Sequence, residues 1–281
     1  YKMKIFAKFF KLIGIKVLKF QKYLKLVNSE KNYIKNLEQT EKYKILIKEL
    51  IIKSQSYNFK TLQIKSQNLQ DLITLDLFGF KNNGIFIEAG ACDGILNSNT
   101  YLLEKEFSWS GLLVEPLNDY FIELKKNRNV NCENYALYSN NSKDAKFLMT
   151  DLNDLSTLKG FETSDIHDEN RKKNMEISVR TVTLAHLLDN LSFPNEIDFL
   201  SLDTEGSELE ILKAFNYEKY IIKVICVEHN QNKNRKLIQQ YLEQKKYIRI
   251  EFPIIDIDDF YIHNSFEPKN KYFEFNSFRK L

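Results

Sequence analysis

The chain has 281 residues, of which 43% are hydrophobic and 28% charged, so it can bury a full core and is neither disordered nor fibrous. Its net charge is +3, but residues 1–26 hold eight lysines and no acidic residue, so the remainder carries −5. The cysteines Cys92, Cys132 and Cys226 form no CxxC pair. This excludes a disulfide framework and a zinc ribbon and indicates a reducing compartment, and hence a cytoplasmic protein.

A basic amphipathic segment lies near the start of the chain. On a helix of about 100° per residue, lysines cover one side of residues 4–27, and large apolar side chains such as Phe9, Ile13 and Leu24 cover the other. The lysines recur too often for a transmembrane span or a signal-peptide core. The pattern predicts peripheral contact with an anionic membrane, on its inner face. Packing on the body, or on a second copy in a homodimer, stays open as the alternative.

The pattern of polar and apolar residues divides the chain into an N-terminal helical extension, residues 1–60, and a domain, residues 61–281. Buried strands are predicted at Ile85–Ala89, Leu112–Val114, Phe199–Leu202 and Val224–Val227, and helices at Tyr101–Phe107, Tyr120–Asn127, Glu208–Phe215 and Lys236–Lys246. Such alternation indicates an α/β fold with a parallel sheet and helices on both faces. Ligands of such sheets bind at the carboxyl ends of the strands, so the residues after each strand are the candidates for function.

The first strand is followed by a turn that holds Glu88, Gly90, Ala91, Asp93 and Gly94. Glycines in a strand-to-helix turn allow close approach of a ligand. The turn lacks the third glycine of the G-x-G-x-x-G fingerprint, which disfavours a pyrophosphate ligand and a nicotinamide oxidoreductase. The two carboxylates suit a cationic ligand instead, although a purely structural turn is an open alternative.

The second strand ends at Glu115 and Pro116, 25 residues after Gly90. An acidic residue at this place can accept hydrogen bonds from both hydroxyls of a ribose. Two acidic strand ends at this spacing favour an adenosine-containing ligand. A surface glutamate at a strand terminus is the alternative.

Five sequence blocks occur in order: Gly84–Gly94, Ser98–Glu104, Trp109–Pro116, Ile197–Glu208 and Val227–Asn230. Together they resemble the FkbM family of S-adenosylmethionine-dependent methyltransferases, and Ser66-Gln67 and Gln70-Asp71 upstream resemble the entry segment of that family. The resemblance covers residues 66–230 and extends towards Asn264, while residues 1–60 lie outside it. It implies a class I methyltransferase fold, a Rossmann-like, mostly parallel sheet of seven strands with the last strand antiparallel. Tyr247–Glu251 and Phe260–His263 are the expected sixth and seventh strands.

The resemblance also implies roles for residues at matching positions. Gly90 and Gly94, with Ala91, would form the loop under the methionine part of S-adenosylmethionine, and Glu88 or Asp93 would face its ammonium and sulfonium groups. Residues of three further segments would complete the cofactor site: Asn99 and Thr100 at the methionine carboxylate, Glu115 and Pro116 at the ribose, and Asn134–Leu137, including Ala136, near the adenine.

Catalysis of methyl transfer to a hydroxyl gains from a base. Asp203 is the first candidate, since it follows the fourth strand beside the cofactor; Glu205 and His229 are the others. Each has a plain alternative: Asp203 binding cofactor only, Glu205 capping the next helix, and His229 bonding within the fold. The carboxylates of Asp203, Glu205 and Glu228 could also hold Mg²⁺, but their spacing leaves a metal undecided.

The sequence argues against a nucleic-acid substrate. The place of the (Asp/Asn)-Pro-Pro-aromatic block of amino methyltransferases is filled by Asp203-Thr-Glu-Gly206, and no cysteine follows a proline. The body is acidic, whereas a nucleic-acid footprint is basic.

The family resemblance implies O-methylation of a small-molecule or glycan hydroxyl, with a sugar of a surface glycan or its lipid-linked precursor expected first. A non-catalytic membrane-associated scaffold is the alternative. Residues 152–174 are interpreted as a mobile acceptor-side loop, with an inert insertion as the open alternative.

Overall fold

A computed structural model describes residues 63–150, 155–161, 174–230, 233–250 and 257–269. These residues fall within the predicted domain 61–281. The predicted extension 1–60, with its amphipathic segment 4–27, lies outside the described residues. No helix in the described ranges is long and apolar enough to cross a membrane.

The main sheet has seven strands: β1 (Ile85–Ala89), β2 (Ser110–Val114), β3 (Asn131–Glu133), β8 (Glu196–Leu202), β9 (Ile221–Glu228), β10 (Tyr247–Ile250) and β11 (Asp258–His263). Their order across the sheet is β10-β11-β9-β8-β1-β2-β3. All neighbours are parallel except β11, which runs antiparallel to both β9 and β10. The prediction of a mostly parallel, seven-stranded sheet with an antiparallel last strand is therefore confirmed.

Six helices of the described part of the chain accompany the sheets: α1 (Gln70–Leu77), α2 (Tyr101–Phe107), α3 (Asn118–Asn127), α4 (Leu184–Asn190), α5 (Glu208–Lys213) and α6 (Arg235–Gln244). The chain moves from β1 through β2 to β3 at one side, then returns to β8 and β9 at the other side of β1. Because crossovers are right-handed, this reversal puts α2 and α3 on one face of the sheet and α5 and α6 on the opposite face.

The core on the face of α4, α5 and α6 explains why the strand sequences are nearly continuous apolar runs. Ile87, Leu200 and Ile225 of adjacent strands are no more than 1% exposed and belong to one cluster with Leu187 of α4 and Leu242 of α6. Strands covered on both faces lose their polar alternation, and this is the reason that they could be located in the sequence.

A second sheet of four strands, which the sequence did not predict, lies between β3 and β8 in the chain. It consists of β4 (Ala136–Leu137), β5 (Ser142–Thr150), β6 (Thr157–Leu158) and β7 (Asn174–Val182), in the order β4-β7-β5-β6. The predicted loop 152–174 is partly wrong, because Thr157 and Leu158 pair with β5 and are buried. Residues 151–154 and 162–173 lie outside the described residues.

Candidate active site

The carboxyl ends of β1 and β8 meet where the strand order reverses, which is where ligands of doubly wound sheets bind. The backbone N–H of Asp203 donates to the carbonyl of Ala89 over 3.1 Å. Gly90 has φ of +79°, and a Cβ built on it would lie 1.8 Å from the carbonyl oxygen of Asp203. Only glycine fits this contact. The loop after β1 and the residue after β8 are therefore packed backbone to backbone.

Glu88 lies beneath the loop, with its carboxylate turned towards the start of α2. Its oxygens accept hydrogen bonds from the Asn99 backbone N–H over 2.6 Å, the Thr100 hydroxyl over 2.5 Å and the Ser98 hydroxyl over 2.9 Å. The Asn99 N–H and the Thr100 hydroxyl, in the residues that the resemblance assigns to the methionine carboxylate, thus donate to Glu88. Contact of Glu88 or Thr100 with the cofactor stays a prediction. In the structure, the two side chains bond to each other at the start of α2.

The Asn99 side chain offers an acceptor that no hydrogen bond among the described residues uses. Its Nδ2 donates to the Ser201 hydroxyl of β8 over 2.9 Å, while its Oδ1 is buried and has no hydrogen-bond partner in the described part of the chain. A buried acceptor without a donor costs about 1–3 kcal/mol. The ammonium group of S-adenosylmethionine is a donor of the required kind, so this residue fits the cofactor, through its oxygen rather than its backbone.

Arg128, directly after α3, joins the parts of the loop and was not found by the sequence analysis. Its side chain is fully buried, forms an ion pair with Glu104, and donates to the Gly94 carbonyl and the Ser98 hydroxyl over 3.1 Å each and to Thr100 Oγ1 over 3.0 Å. Burial alone would raise the pKa of Glu104, but the Arg128 charge and further hydrogen bonds lower it overall. The local sequence, rich in Lys and Asn, gives no sign that this one cation is buried.

The remaining predicted loop residues shape the turn. Asp93 Oδ1 accepts from the backbone N–H groups of Ile95 and Leu96, both over 2.8 Å, which closes an Asx turn. A Cβ on Gly94 would lie 2.6 Å from Leu124 and 2.7 Å from Arg128, so this glycine is required for packing against α3. These positions explain the loop geometry, and direct contact of Asp93 with the cofactor stays a prediction.

Glu115 follows β2 with its carboxylate in the predicted ribose position. Its oxygens accept from the backbone N–H groups of Cys92, over 3.0 Å, and of Leu117, over 2.8 Å. Burial raises its pKa to about 7, although the two hydrogen bonds lower it. The charge of Asp203 adds to the rise. Asn134 Nδ2 donates to the carbonyls of Glu115 and Pro116, which fixes this strand end. Each carboxylate oxygen retains acceptor capacity, so the residue fits a ribose diol.

Ala136 begins β4 and packs in a small apolar cluster with Leu117 and Val179. It is 5% exposed, so the predicted contact with adenine is untested at this position. A cleft of about 140 Å³ opens beside the cluster, between the start of α3 and the second sheet. Its lining residues are Leu117, Asn118, Asp119, Tyr120, Met149 and Ile177.

Three carboxylates converge at the carboxyl ends of β8 and β9. One side-chain oxygen from each of Asp203, Glu205 and Glu228 lies within 4.8 Å of the other two. Glu205 is 6% and Glu228 8% exposed, so the charges are largely shielded from water. Burial raises the pKa of Glu228 well above its usual value, and the charges of Asp203 and Glu205 and a hydrogen bond with Asp203 add to the rise.

The segment between Asp203 and α5 is held in shape by a glutamate that bends back onto it. Glu208 Oε1 accepts from the backbone N–H groups of Thr204 and Gly206 and from the Thr204 hydroxyl, over 2.9–3.0 Å. Thr157 of β6 donates to the Glu205 carbonyl over 2.7 Å, which attaches the second sheet to this segment. Glu205 itself has φ of +59°, a conformation costly for a residue with a side chain and typical of functional sites.

His229 is brought beside a different cluster. Its Nε2 lies 3.8 Å from Asp259 Oδ1, and its side chain is 2% exposed. Asp259 also accepts two hydrogen bonds from Arg235, over 2.7 and 2.8 Å. Burial would raise the pKa of Asp259, but these bonds and the neighbouring charges, His229 among them, lower it overall. The structure thus groups Asp203 with Glu205 and Glu228, and the role of His229 as a base stays a prediction.

Comparison with known proteins identifies a domain family. Residues 88–269 match the model of the FkbM methyltransferase domain. No curated protein matches the chain. Among solved structures, it is similar to a methyltransferase FkbM from Methylobacillus flagellatus KT, with 12% identity and a TM-score of 0.40 over 66% of this chain and 44% of that one. It is also similar to a methyltransferase from Geobacter sulfurreducens, with 9% identity and a TM-score of 0.42 over 89% and 97% of the two chains.

The family assignment rests on the extent of the domain match. The matched residues make up more than half of the chain and include both β1, from Glu88, and β11, so they contain every element of the site described above. Use of S-adenosylmethionine is implied by this family. The chain belongs to the FkbM methyltransferase family.

Proposed function

We propose that the protein is an S-adenosylmethionine-dependent O-methyltransferase whose acceptor is a sugar hydroxyl of a surface glycan or of its lipid-linked precursor. The observation that carries the proposal is the packing of Asp203 against Gly90, which puts a carboxylate at the boundary between the cofactor loop and the acidic ends of β8 and β9. A base at this place would lie next to the reacting methyl group of a cofactor held by Asn99 and Glu115.

Asp203 is the proposed catalytic residue. S-adenosylmethionine supplies a methyl group on a sulfonium, a cation that nearby carboxylates stabilise. The acceptor oxygen forms the new O–C bond as the S–C bond breaks, and its proton passes to Asp203. The protein's own contribution is to orient the two reactants and to supply this base, which is worth typically 10²–10⁴-fold in rate. The hydrogen bond from Thr157 and the positive φ of Glu205 support a role for this residue on the acceptor side.

A carbohydrate acceptor is favoured by the chemistry of this edge of the sheet. Carboxylates are acceptor-only groups when ionised, and neighbouring sugar hydroxyls supply the donors that they require. The absence of the amino-methyltransferase block after the fourth strand and the acidic character of the body support a hydroxyl acceptor over a nucleic acid.

The test is transfer of labelled methyl from S-adenosylmethionine by the full chain to glycan and glycolipid fractions prepared from cells that lack the gene. Label is expected in carbohydrate with the wild-type protein and with Glu210→Gln, a change of a half-buried glutamate on α5 that pairs with Lys213. With Asp203→Asn we expect transfer to fall by at least about 10²-fold while cofactor affinity holds. Binding of the cofactor without transfer to any fraction would favour the non-catalytic scaffold. Binding of a nicotinamide cofactor instead would favour the oxidoreductase.

We also propose that residues 4–27 hold the protein at an anionic membrane, where lipid-linked acceptors are available. The support is the sequence pattern alone, in which lysine is the sole charged residue. Each lysine near such a surface contributes about 1 kcal/mol, and salt weakens this attraction.

The full chain is therefore expected to float with anionic vesicles at low salt. Lys8→Glu combined with Lys11→Glu and Lys22→Glu should abolish flotation. Flotation that is unchanged by these substitutions would contradict membrane binding through this segment, and failure of both proteins to float would favour the packing alternative.

A further inference from the structure

We propose that Asn68 and Asp71 complete the cofactor site together with Asn99, by binding the charged groups of the methionine part of S-adenosylmethionine. Asn68 lies just before α1 and Asp71 in its first turn. The ammonium group would bind to the oxygens of Asp71 and Asn99, and the carboxylate group to the amide of Asn68. The inference rests on the cofactor of the proposed function and names further ligands for it. Both new residues precede the matched family domain, which begins at residue 88.

The start of α1 lies at the carboxyl edge of the main sheet. Gln70 Nε2 donates to Asp258 Oδ2 over 2.9 Å, and Asp258 pairs with Glu228, the last residue of β9. On the other side, Ser66 forms a β-bridge with Asn97 in the loop after β1. Because β9, β8 and β1 are adjacent strands, the chain between Ser66 and Gln70 extends along the edge at which ligands of doubly wound sheets bind.

The Asp71 carboxylate is completely buried, and one of its oxygens remains available. Oδ1 accepts from the Ser66 hydroxyl over 2.6 Å and from the Leu72 backbone N–H over 2.7 Å, whereas Oδ2 has no hydrogen-bond partner among the described residues. Ser66 in turn pairs with Asn97, two residues before Asn99, so Asp71 and the Asn99 amide are held on adjoining segments. A buried anion without full compensation is costly, and a ligand ammonium group would supply both a donor and the opposite charge.

Asn68 offers a group of the opposite kind. Its Nδ2 is buried and donates to no acceptor in the described ranges, while its backbone N–H donates to Gln70 Oε1 over 2.8 Å. The methionine carboxylate requires such a donor, because the Asn99 N–H and the Thr100 hydroxyl are already bonded to Glu88. The Asn68 amide therefore fits the end of the cofactor for which the loop after β1 has used its donors.

The mixed polarity of these atoms indicates the class of ligand. Asp71 Oδ2 and Asn99 Oδ1 are acceptors, and Asn68 Nδ2 is a donor. A simple cation would leave the donor unsatisfied, whereas a simple anion would be repelled by Asp71 and would leave both acceptors unsatisfied. The zwitterionic group of an α-amino acid carries an ammonium and a carboxylate on one carbon atom, so it can satisfy all three. S-adenosylmethionine ends in this group.

The test compares the binding of two ligands to the full chain by calorimetry at pH 8, where the Glu115 carboxylate is ionised. S-adenosylhomocysteine carries the amino acid group, and methylthioadenosine retains the adenosine and the sulfur without it. Asp71→Asn keeps an oxygen for Ser66 and Leu72 and replaces the available oxygen by an amide donor. We expect it to weaken S-adenosylhomocysteine binding at least about tenfold and to leave methylthioadenosine binding unchanged. Asn68→Leu should show the same difference between the ligands.

The matched control is Asp76→Asn, the same change of a buried aspartate five residues later in α1, about 7.5 Å farther from the edge of the sheet. It should leave both affinities unchanged. Equal losses of both ligands in Asp71→Asn, or no loss of S-adenosylhomocysteine, would overturn the inference. Asn68→Leu applies the same criterion at a half-buried position, so the inference can fail even where Asp71→Asn does not fold.

The inference and the proposed function fail on different measurements. A wild-type protein that binds neither ligand would overturn both. Binding of both ligands that the variants do not separate would overturn this inference alone. Variants that separate the ligands as expected, in a protein that transfers no methyl to carbohydrate, would support the inference and contradict the proposed function.

Discussion

Glu115 shows how the surroundings of a single carboxylate set the conditions for cofactor binding. Its two backbone hydrogen bonds hold the carboxylate towards the ribose position, and burial together with the Asp203 charge raises its pKa to about 7. The ionised form accepts hydrogen bonds from ribose hydroxyls more strongly than the protonated form, which must itself donate a proton, so cofactor binding and ionisation of this residue are linked.

Cofactor affinity, measured by calorimetry, is therefore expected to fall about tenfold for each pH unit below 7 and to level off above it. Affinity falls at low pH because the cofactor binds the ionised carboxylate better. The raised pKa of Glu115 in the free protein puts the change near pH 7. Glu115→Gln should bind at least about tenfold more weakly at pH 8, since hydrogen bonds to charged groups are worth about 1.5–3 kcal/mol, and should lose the pH dependence. An unchanged affinity for this variant, or a flat pH profile in the wild-type protein, would contradict the ribose assignment.

Arg128 supports a second prediction at this scale, on stability. Arg128→Met leaves Glu88 buried without its cation and leaves Glu104 with Lys105 alone, and breaking a buried pair in this way costs about 3–5 kcal/mol. Urea unfolding should show this loss, and Arg128→Lys should show a smaller one, because it keeps the charge but not the planar fork of donors. The control is Lys126→Met, which removes an exposed cation from α3. A loss below about 1 kcal/mol for Arg128→Met would show that the buried network is not what holds the loop.

Single residues also mark the limits of sequence reasoning. Glu115, Gly90 and Asp203 could be located because each follows an apolar strand, and strand ends of a parallel sheet meet at one edge. Glu88 lies within β1, one residue before its end, and its carboxylate is directed at Ser98–Thr100, a pairing that depends on the conformation of the loop. Arg128 could not be found, because its importance lies in burial and in partners distant along the chain.

At the scale of elements, the contact between β1 and β8 is the feature most open to test. Gly90 and Gly160 both have positive φ, of +79° and +106°, but a Cβ on Gly160 would have no neighbour within 4 Å. Alanine at either position strains the backbone by about 1–3 kcal/mol, and only at Gly90 does it also meet the Asp203 carbonyl. We expect Gly90→Ala to lose cofactor binding and considerably more stability than Gly160→Ala. Equal thermal midpoints for the two variants would contradict the packing of these strand ends.

The second sheet is attached to the acidic segment through the hydrogen bond from Thr157 to the Glu205 carbonyl. Thr157→Val keeps the side-chain volume and removes this donor, at a cost of about 1 kcal/mol in stability. If the sheet positions the acceptor side, kcat should fall while cofactor affinity is unchanged. Thr181→Val is a matched control, buried in β7 of the same sheet. A similar kcat for both variants would show that the attachment is structural only.

The elements differ in how well the sequence revealed them. The strands of the main sheet are covered on both faces, so their apolar runs stand out, and the helices between them show a clear period. The second sheet was missed because its two long strands are exposed over their first half and buried only towards their ends, so neither an apolar run nor a regular alternation marks them. Such segments are hard to distinguish from loops by composition.

At the scale of the whole molecule, an acidic catalytic body is combined with a basic N-terminal segment in one chain. The division of charge suits an enzyme that is held at an anionic surface while its acceptor site favours polyols. The family match establishes the methyltransferase, and the geometry of Glu115, Asp203 and Glu228 supports the proposed chemistry. What could not be read from the sequence is the acceptor, because specificity depends on the three-dimensional shape of the acceptor side.

The most direct test of the central claim is mass spectrometry of surface glycans from cells that carry the intact gene, no gene, Asp203→Asn or Glu210→Gln. O-methyl transfer to a sugar predicts glycans that lack one CH₂ unit per methyl group in the deletion and in Asp203→Asn, and that are complete with the wild-type gene and with Glu210→Gln. Identical glycan and glycolipid masses in all four strains, with the protein expressed and folded, would contradict the account.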